Sequence, residues 1–319
     1  MDQYFDGLVG QDQIKRQLGF YIDTFKETRT MPFLGFFSPK GYGKTVFAKK
    51  TMDNLTREDG TKRAQVILNC SVIRNNQAFF EDIVLRIISG NEVNILFDEA
   101  HGLPNDVTQV LLTICNVDKD PVRQFEFGDG TFVFDFRKIS FLFATTEPDK
   151  LFPPLKDRLQ SIEFRPYTKK DISEMIDLYC MDVDFRGNAK NSVIDSIRDN
   201  PRSVVKRADE INRYAFGHKK SAIFDDDDWN KLTYTLGINP LGLENTEMAI
   251  LGVLLDRGAC SLQTLANVCG MSRTAIRSSV ENRLIKCGLM EIDVKRRLTP
   301  KGIKLATELK KNGKLVEIF

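Results

Sequence analysis

The chain has 319 residues, 42% of them hydrophobic and 28% charged, and 46 Lys and Arg against 44 Asp and Glu give a net charge of +2. This is an ordinary soluble composition with room for two or three domains, and the apolar runs are too short and interrupted to cross a bilayer. The six cysteines form no C-x-x-C pair and have only His101 and His218 to assist them, so neither a zinc site nor a disulfide framework is indicated and reduced packing residues are expected.

The start, Met1 to Asp6, has neither the basic end nor the apolar core of a signal peptide, so a cytoplasmic setting without membrane contact is expected. After a lead-in over Phe5 to Gly10, Ile14, Leu18, Ile22 and Phe25 fall on one side of an amphipathic helix. Leu34 to Thr45 then reads as strand, phosphate loop and helix. An apolar run ends in a loop with two glycines, and Lys44-Thr45 opens a segment of helical spacing (Val46, Phe47, Lys49, Met52, Leu55). Gly41, Tyr42, Gly43, Lys44, Thr45 and Val46 are the candidate nucleotide cradle: backbone N–H groups turn towards phosphate and the helix N-terminus adds its dipole. Lys44 is expected at the β- and γ-phosphates and Thr45 at Mg²⁺. Ser38 stands where the motif has its first glycine, which costs little if its φ is negative.

Gln65 to Cys70 has the β-branched richness of a buried strand, and Phe79 to Ile88 returns to helical spacing. Asn94 to Glu99 is an apolar strand ending in two acids. Asp98 is expected to hold Mg²⁺ through water and Glu99 to orient and deprotonate the attacking water, which completes a nucleotide-hydrolysing site. A helix is expected from Thr108 to Val117. Phe alternates with other residues on both sides of Gly128-Asp129-Gly130, which predicts a hairpin with Phe125 and Phe127 on one strand and Phe132, Phe134 and Phe136 on the other. Two placements of that Phe face are open: against the domain body, or projecting as a docking site for a partner protein.

Ile139 to Ala144 is another strand, followed by Thr145-Thr146-Glu147 where a polar side chain can touch the γ-phosphate or the water. Arg158 precedes a last strand at Ile162 to Phe164, either as a surface residue paired with Asp157 or as an edge residue reaching a neighbour's nucleotide. Residues 165–237 look helical throughout, and Asp225 to Asp228 read as a helix start rather than a metal site. From Asn239 the pattern is three short helices and a hairpin, a winged helix in outline. Asn245 or Thr246, Ser261 and Ser272 are the expected caps, and Gly270 the turn. Arg273 and Arg277 lie one turn apart on the third helix, away from Ile276, Val280 and Leu284. Lys295, Arg296 and Arg297 at the wing are expected to grip phosphate, with Arg296 open to the opposite face by strand alternation. Residues 239–319 carry 13 Lys and Arg against 8 Asp and Glu, a balance of +5 that leaves −3 for the rest and favours a polyanionic partner at this end.

On these residues the chain resembles, nearly end to end, the RuvB-type Holliday-junction motors of the AAA+ superfamily. Leu8-Val9-Gly10-Gln11 is similar to the family's motif beside the adenine, ILFDEAHGL (Ile95 to Leu103) to its Walker B segment, and FATTEPDKLFPPLKDRL (Phe143 to Leu159) to its sensor and arginine-finger stretch. Asn200-Pro201-Arg202 is similar to its second sensor, and Leu236 to Leu243 to its lead into the winged helix. The resemblance implies Leu8 and Val9 at the base, Thr146 as sensor, Arg158 as a finger acting on the neighbouring subunit, and Pro201 and Arg202 at the nucleotide, with Arg202 on the γ-phosphate. It implies an α/β fold: an AAA+ domain with a parallel sheet over residues 1–164, a helical lid over 165–237 and a winged helix over 238–319. ATP and Mg²⁺ are the implied cofactors. Branched duplex DNA, a homo-oligomeric ring and a junction-binding protein at the Phe125–Phe136 hairpin are the implied partners. Ser38, Asp199-Asn200 and the hairpin sequence depart from the family pattern. The alternatives are a replication factor (origin initiator, helicase loader or clamp loader) and an ATP-gated DNA-binding regulator.

Overall fold

The computed structural model describes residues 2–116, 120–198, 200–237, 239 and 242–311. Val117, Asp199, Ile238, Pro240 and Leu241, which belong to the predicted elements and motifs above, lie outside the described residues. Among the described residues the chain divides into two compact units, Met1–Val183 with Arg198–His218, and Asp184–Ile197 with Lys219–Phe319.

Among its described residues the first unit holds seven strands: β1 (Leu34–Phe37), β2 (Ala64–Asn69), β3 (Val93–Asp98), β4 (Val122–Phe127), β5 (Gly130–Asp135), β6 (Ile139–Thr145) and β7 (Gln160–Glu163). Five form a parallel sheet in the order β2-β3-β6-β1-β7. Residues of β1 and β6 are buried throughout, as are those of β3 up to Asp98, because a parallel sheet is covered on both faces and its inner strands read as unbroken apolar runs. The expectation of a buried strand at Gln65 to Cys70 is corrected: β2 is the sheet's edge, with Gln65, Ile67 and Asn69 exposed. Register sets Phe37 opposite Thr145 and Asp98 opposite Ala144, so the C-terminal ends of β1, β3 and β6 meet at one rim. In parallel α/β sheets that rim is where ligands bind.

Helix α1 (Asp12–Thr28) buries Ile14, Leu18, Ile22 and Phe25, the predicted face. The phosphate loop feeds α2 (Lys44–Asp53), and Ser38 is not among the residues with positive φ, so serine is accommodated there without backbone strain. The short α3 (Asn76–Ala78) runs into a π-helix, Phe79–Ile88. Helix α4 (Asn105–Ile114) begins earlier than Thr108. Helix α5 (Pro153–Lys156) and α6 (Lys169–Tyr179) follow, the latter started by a capping box of Thr168 and Asp171.

Strands β4 and β5 form the predicted hairpin, with Phe125 opposite Phe132. Its Phe face lies on the domain body, the first of the two placements the sequence leaves open, so the Phe rings themselves are not a projecting docking surface. Phe134 is fully buried, and the rings of Phe127, Phe132 and Phe125 gather on buried Phe80 at 4.2, 4.8 and 5.5 Å between centroids. The opposite face, with Gln124, Glu126, Thr131 and Val133, is exposed.

Within the second unit lie α7 (Ala189–Ser196) and, further on, α9 (Asp226–Leu236); between them α8 (Pro201–Asn212) belongs to the first unit and runs on into a π-helix, Arg213–Lys219. Residues 165–237 are not wholly helical, because β8 (Asp184–Phe185) and β9 (Ile223–Phe224) pair in parallel. Two-residue strands are too short to leave a period-2 signature. Asp225 caps α9 (Asp226–Leu236), its Oδ1 accepting the N–H groups of Asp227 and Asp228 at 3.0 Å, as the sequence predicts. Gly242, in the stretch leading to the winged helix, has φ +65°, and a Cβ there would stand 2.0 Å from Ser196 O. No side chain fits that approach.

The winged helix comprises α10 (Asn245–Arg257), α11 (Leu262–Cys269), α12 (Arg273–Ala275) running through a π-turn Ile276–Glu281 into α13 (Asn282–Lys286), the hairpin β10 (Met290–Ile292) and β11 (Arg296–Leu298), and α14 (Pro300–Lys311). Ser261 and Ser272 are the caps expected, while α10 is capped by Glu244 instead of Asn245 or Thr246, its N–H donating to Glu247 Oε2 at 2.7 Å. The closing helix α14 is additional to the expected elements; it buries Ala306 and Leu309. All six cysteines are free, and burial pushes the thiols of Cys70, Cys115 and Cys180 up, as inert packing residues require. Among the described residues no helix is long and apolar enough to cross a membrane, and no group of His, Cys, Asp and Glu is arranged to hold a metal on its own.

Candidate active site and nucleic-acid interface

A cleft of about 740 Å³ opens at the rim of the sheet, entirely within the first unit. At one end Gly41, Gly43, Lys44, Thr45 and Val46 line it. Gly41 and Gly43 have φ of 87° and 96°, and a Cβ on Gly41 would stand 2.9 Å from Asn200 Oδ1, so glycine is required there twice over. Lys44 is buried, with Nζ donating to Ser38 O (2.8 Å) and Pro39 O (3.1 Å). Burial lowers the pKa of its ammonium, while Glu99 and Asp98 pull it back up. A polyphosphate bound in the loop acts in the same direction as those two carboxylates.

Asp98, Glu99 and Thr146 line the same cleft. Thr45 Oγ1 donates to Asp98 Oδ2 at 3.3 Å, which brings the two expected Mg²⁺ ligands together. Glu99 has left-handed backbone (φ 51°, ψ 49°), a conformation that residues other than glycine rarely adopt and that is concentrated at functional sites. Its Oε2 accepts the Thr146 hydroxyl at 3.1 Å.

The other end is apolar, lined by Leu8, Val9, Met175, Leu178, Tyr179 and Val205, with Lys206 and Asp209 beside them. Leu8 and Val9 arrive on a strap fixed by Gln11, whose Nε2 donates to Arg165 O (2.8 Å) and whose Oε1 accepts Arg165 N–H (3.1 Å). Arg165 is in turn held by Asp171 in a two-pronged ion pair at 2.7 and 3.0 Å, and those bonds lower the Asp171 carboxyl to about 2. Pro201 and Arg202 line the cleft from the start of α8, where Asn200 Oδ1 caps Ser203 N–H at 3.0 Å. Tyr42, expected in the cradle, does not line the cleft: its ring packs on Tyr167 and its carbonyl accepts the Tyr167 hydroxyl at 3.0 Å. Arg158 does not line it either. It is half-buried before β7 and donates to Pro154 O at 2.7 Å, so its guanidinium is turned to the backbone of α5 rather than to Asp157.

Gly7, Lys40 and Phe47, close to the expected residues in sequence, and Tyr167 with the residues of α6 and α8 also line the cleft without having been expected as site residues. Met175, Leu178 and Tyr179 come from α6 and Val205, Lys206 and Asp209 from α8, both distant along the chain, and no local motif marks them.

On the winged helix, Arg273, Thr274, Arg277 and Ser278 line, with Leu262, a depression of about 460 Å³. Lys295 is exposed at the wing tip, and Arg297 is exposed and paired with Glu291 Oε1 at 2.8 Å. Arg296 is corrected: strand alternation turns it inward, where Nε meets buried Glu281 Oε1 at 2.8 Å with only 12% of the side chain exposed. It is a strut between wing and helix and is not available to phosphate.

A parallel sheet with phosphate loop, acid-tipped strand, polar strand end and a helix returning an arginine to the cleft defines an AAA+ ATPase. Residues 34–167 match the profile of the ATPase family associated with various cellular activities (AAA), and residues 240–307 match that of the RuvB C-terminal winged helix domain. The chain is 23% identical over 305 residues to the Holliday junction branch migration complex subunit RuvB of Campylobacter fetus subsp. fetus, covering 92% of this chain and 84% of that one. The structure of the Thermotoga maritima RuvB Holliday junction branch migration motor is similar at TM-score 0.72 and 22% identity, over 94% of this chain and 95% of that one. The structure of Cdc6p from Pyrobaculum aerophilum is similar at TM-score 0.54 and 16% identity, over 99% of each. The chain is thus built as RuvB-type AAA+ proteins are, with an AAA domain followed by a RuvB C-terminal winged helix.

Proposed function

We propose that the chain is an ATP-driven DNA motor of the RuvB type, working as a ring of subunits that drives migration of four-way DNA junctions in the cytoplasm. The observation that carries this reading is the presence, in one chain, of a cleft joining Lys44, Thr45, Asp98, Glu99, Thr146 and Arg202 and of a winged helix matched by the RuvB profile. In this reading Leu8 and Val9 take the base, Lys44 and the loop around Tyr42 take the phosphates, and Arg202 reaches the γ-phosphate. Thr45 and Asp98 are hard oxygen donors already within hydrogen-bond distance, a donor set that suits Mg²⁺. Mg²⁺ there supplies charge neutralisation on the phosphates. Glu99, held by Thr146, orients the attacking water and accepts its proton. Arg158 lies outside its own subunit's cleft, which supports action on a neighbour's nucleotide. Residues 165–237 serve as lid, and 238–319 bind duplex through Arg273, Arg277, Lys295 and Arg297. A junction-binding partner at the Phe125–Phe136 hairpin would meet its exposed face, Gln124, Glu126, Thr131 and Val133.

A branch-migration assay on a four-way junction tests the reading, with Lys44→Ala and Glu99→Gln as references. Wild type should move the branch point with ATP, Lys44→Ala should lose nucleotide binding, and Glu99→Gln should bind ATP yet scarcely turn over. Equal loss of binding in both variants would make Glu99 structural. The competing reading, a replication initiator, would bind duplex without moving branch points.

A further inference from the structure

Beside the Glu99 carboxylate stands a side chain to which neither the phosphate cradle nor the hydrolytic step assigns a role. His101 lies on the 3₁₀ turn Ala100–Gly102 that follows β3. Its Nδ1 is 2.8 Å from Thr145 Oγ1 and 3.5 Å from Glu99 Oε2, and its Nε2 is 3.1 Å from Glu147 Oε2. Thr145 is fully buried, and its hydroxyl oxygen also accepts the Glu147 N–H at 3.0 Å. Glu147 is anchored on its other oxygen by Lys150 at 2.9 Å. The ring is thus fixed at both nitrogens: with Nε2–H given to the Glu147 carboxylate, Nδ1 accepts the Thr145 O–H.

We propose that His101 is a positioning residue for hydrolysis, a wedge between the like-charged carboxylates of Glu99 and Glu147 that keeps Glu99 on the cleft side, against Thr146. The proposal rests on the reading of Glu99 as the base. Glu99 is a long side chain, 39% exposed, whose hydroxyl partner is Thr146. Without the imidazole behind it the carboxylate gains torsional freedom away from the cleft, and an error of about 1 Å in the placement of a catalytic group can cost about 100-fold in rate. Nucleotide affinity resides in the loop and the apolar end, which His101 does not line, so the effect falls on turnover alone.

The test uses the full chain with His101→Ala, His101→Gln, Glu99→Gln and the His101→Ala/Glu99→Gln double variant. MgATP turnover, affinity for a fluorescent ATP analogue and melting temperature are measured for each. His101→Ala should lower kcat about 10- to 100-fold with affinity and melting temperature unchanged. His101→Gln, whose amide offers one donor and one acceptor, should regain part of the loss, and the double variant should be no slower than Glu99→Gln. Wild-type turnover in His101→Ala beside a silent Glu99→Gln would overturn the role of His101 alone. So would a parallel fall in affinity, melting temperature and kcat without rescue by Gln. Wild-type turnover in Glu99→Gln would overturn both this inference and the base it rests on.

Discussion

Phe134→Ala and Val133→Ser change neighbouring residues of β5 that point to opposite faces, and their contrast tests whether the hairpin's Phe face is core or docking surface. Phe134 is fully buried in the cluster that includes Phe80, Phe136 and Phe141, while Val133 is 55% exposed. Truncating a fully buried Phe removes its transfer free energy and leaves a cavity, together about 3–5 kcal/mol. At about 2–4 °C per kcal/mol for a unit of this size, Phe134→Ala should melt roughly 10 °C below wild type. Val133→Ser, which opens no cavity, should stay within about 0.5 kcal/mol. Thermal melts followed by circular dichroism, with ATP-analogue binding to show that the unit remains folded at the working temperature, are the assay. A Phe134→Ala protein that melts with wild type but no longer binds a junction-binding partner would refute the packing argument and restore the Phe face as a docking surface.

Arg158→Ala should bind ATP normally and turn over about 10³-fold more slowly, and mixing it with Lys44→Ala should recover part of the activity at interfaces where intact faces meet; no recovery at any ratio in assembled protein would count against a finger acting across subunits. Asp171→Asn should destabilise the first unit by about 2 kcal/mol at most at neutral pH, given the depressed carboxyl and a partner Arg165 that is 43% exposed. Because the folded value lies below the ordinary 3.8, the stabilisation is present above that pH and disappears as pH falls towards about 2, so the gap between wild type and variant should narrow from pH 7 to pH 3; a constant gap in melting temperature would point to packing instead. Neutralising Lys295 and Arg297 should weaken binding to every duplex alike and lower the log–log salt slope by about 0.9 for each phosphate that the wing ceases to neutralise, while an unchanged slope would remove the wing from the DNA site.

What could be read from the chain alone was whatever lies close together in sequence. The phosphate loop, the acids ending β3, the Ser261 and Ser272 caps and the Asp225 start of α9 each depend on a few consecutive residues, and each forms where expected. The sheet core was legible because its inner strands are unbroken apolar runs. What failed needed a partner from elsewhere. Alternating Phe residues predict a face but not what covers it, and Phe80 lies more than forty residues away. Likewise β2 is as β-branched as an inner strand, and only strand order makes it an edge. The inward turn of Arg296 was open from alternation, but its acceptor Glu281 sits on another element. His101 was invisible as a wedge because its three partners lie on two strand ends brought together by the β3–β6 register.

The most direct test of the motor reading is the rate of ATP hydrolysis on a four-way junction compared with a linear duplex of the same sequence and salt, with and without a junction-binding protein, followed in parallel with strand exchange. The account predicts that the junction stimulates hydrolysis beyond the duplex, and that strands exchange as ATP is consumed in wild type but not in Glu99→Gln. Equal stimulation by both DNAs with no strand exchange would contradict it and favour an initiator or regulator.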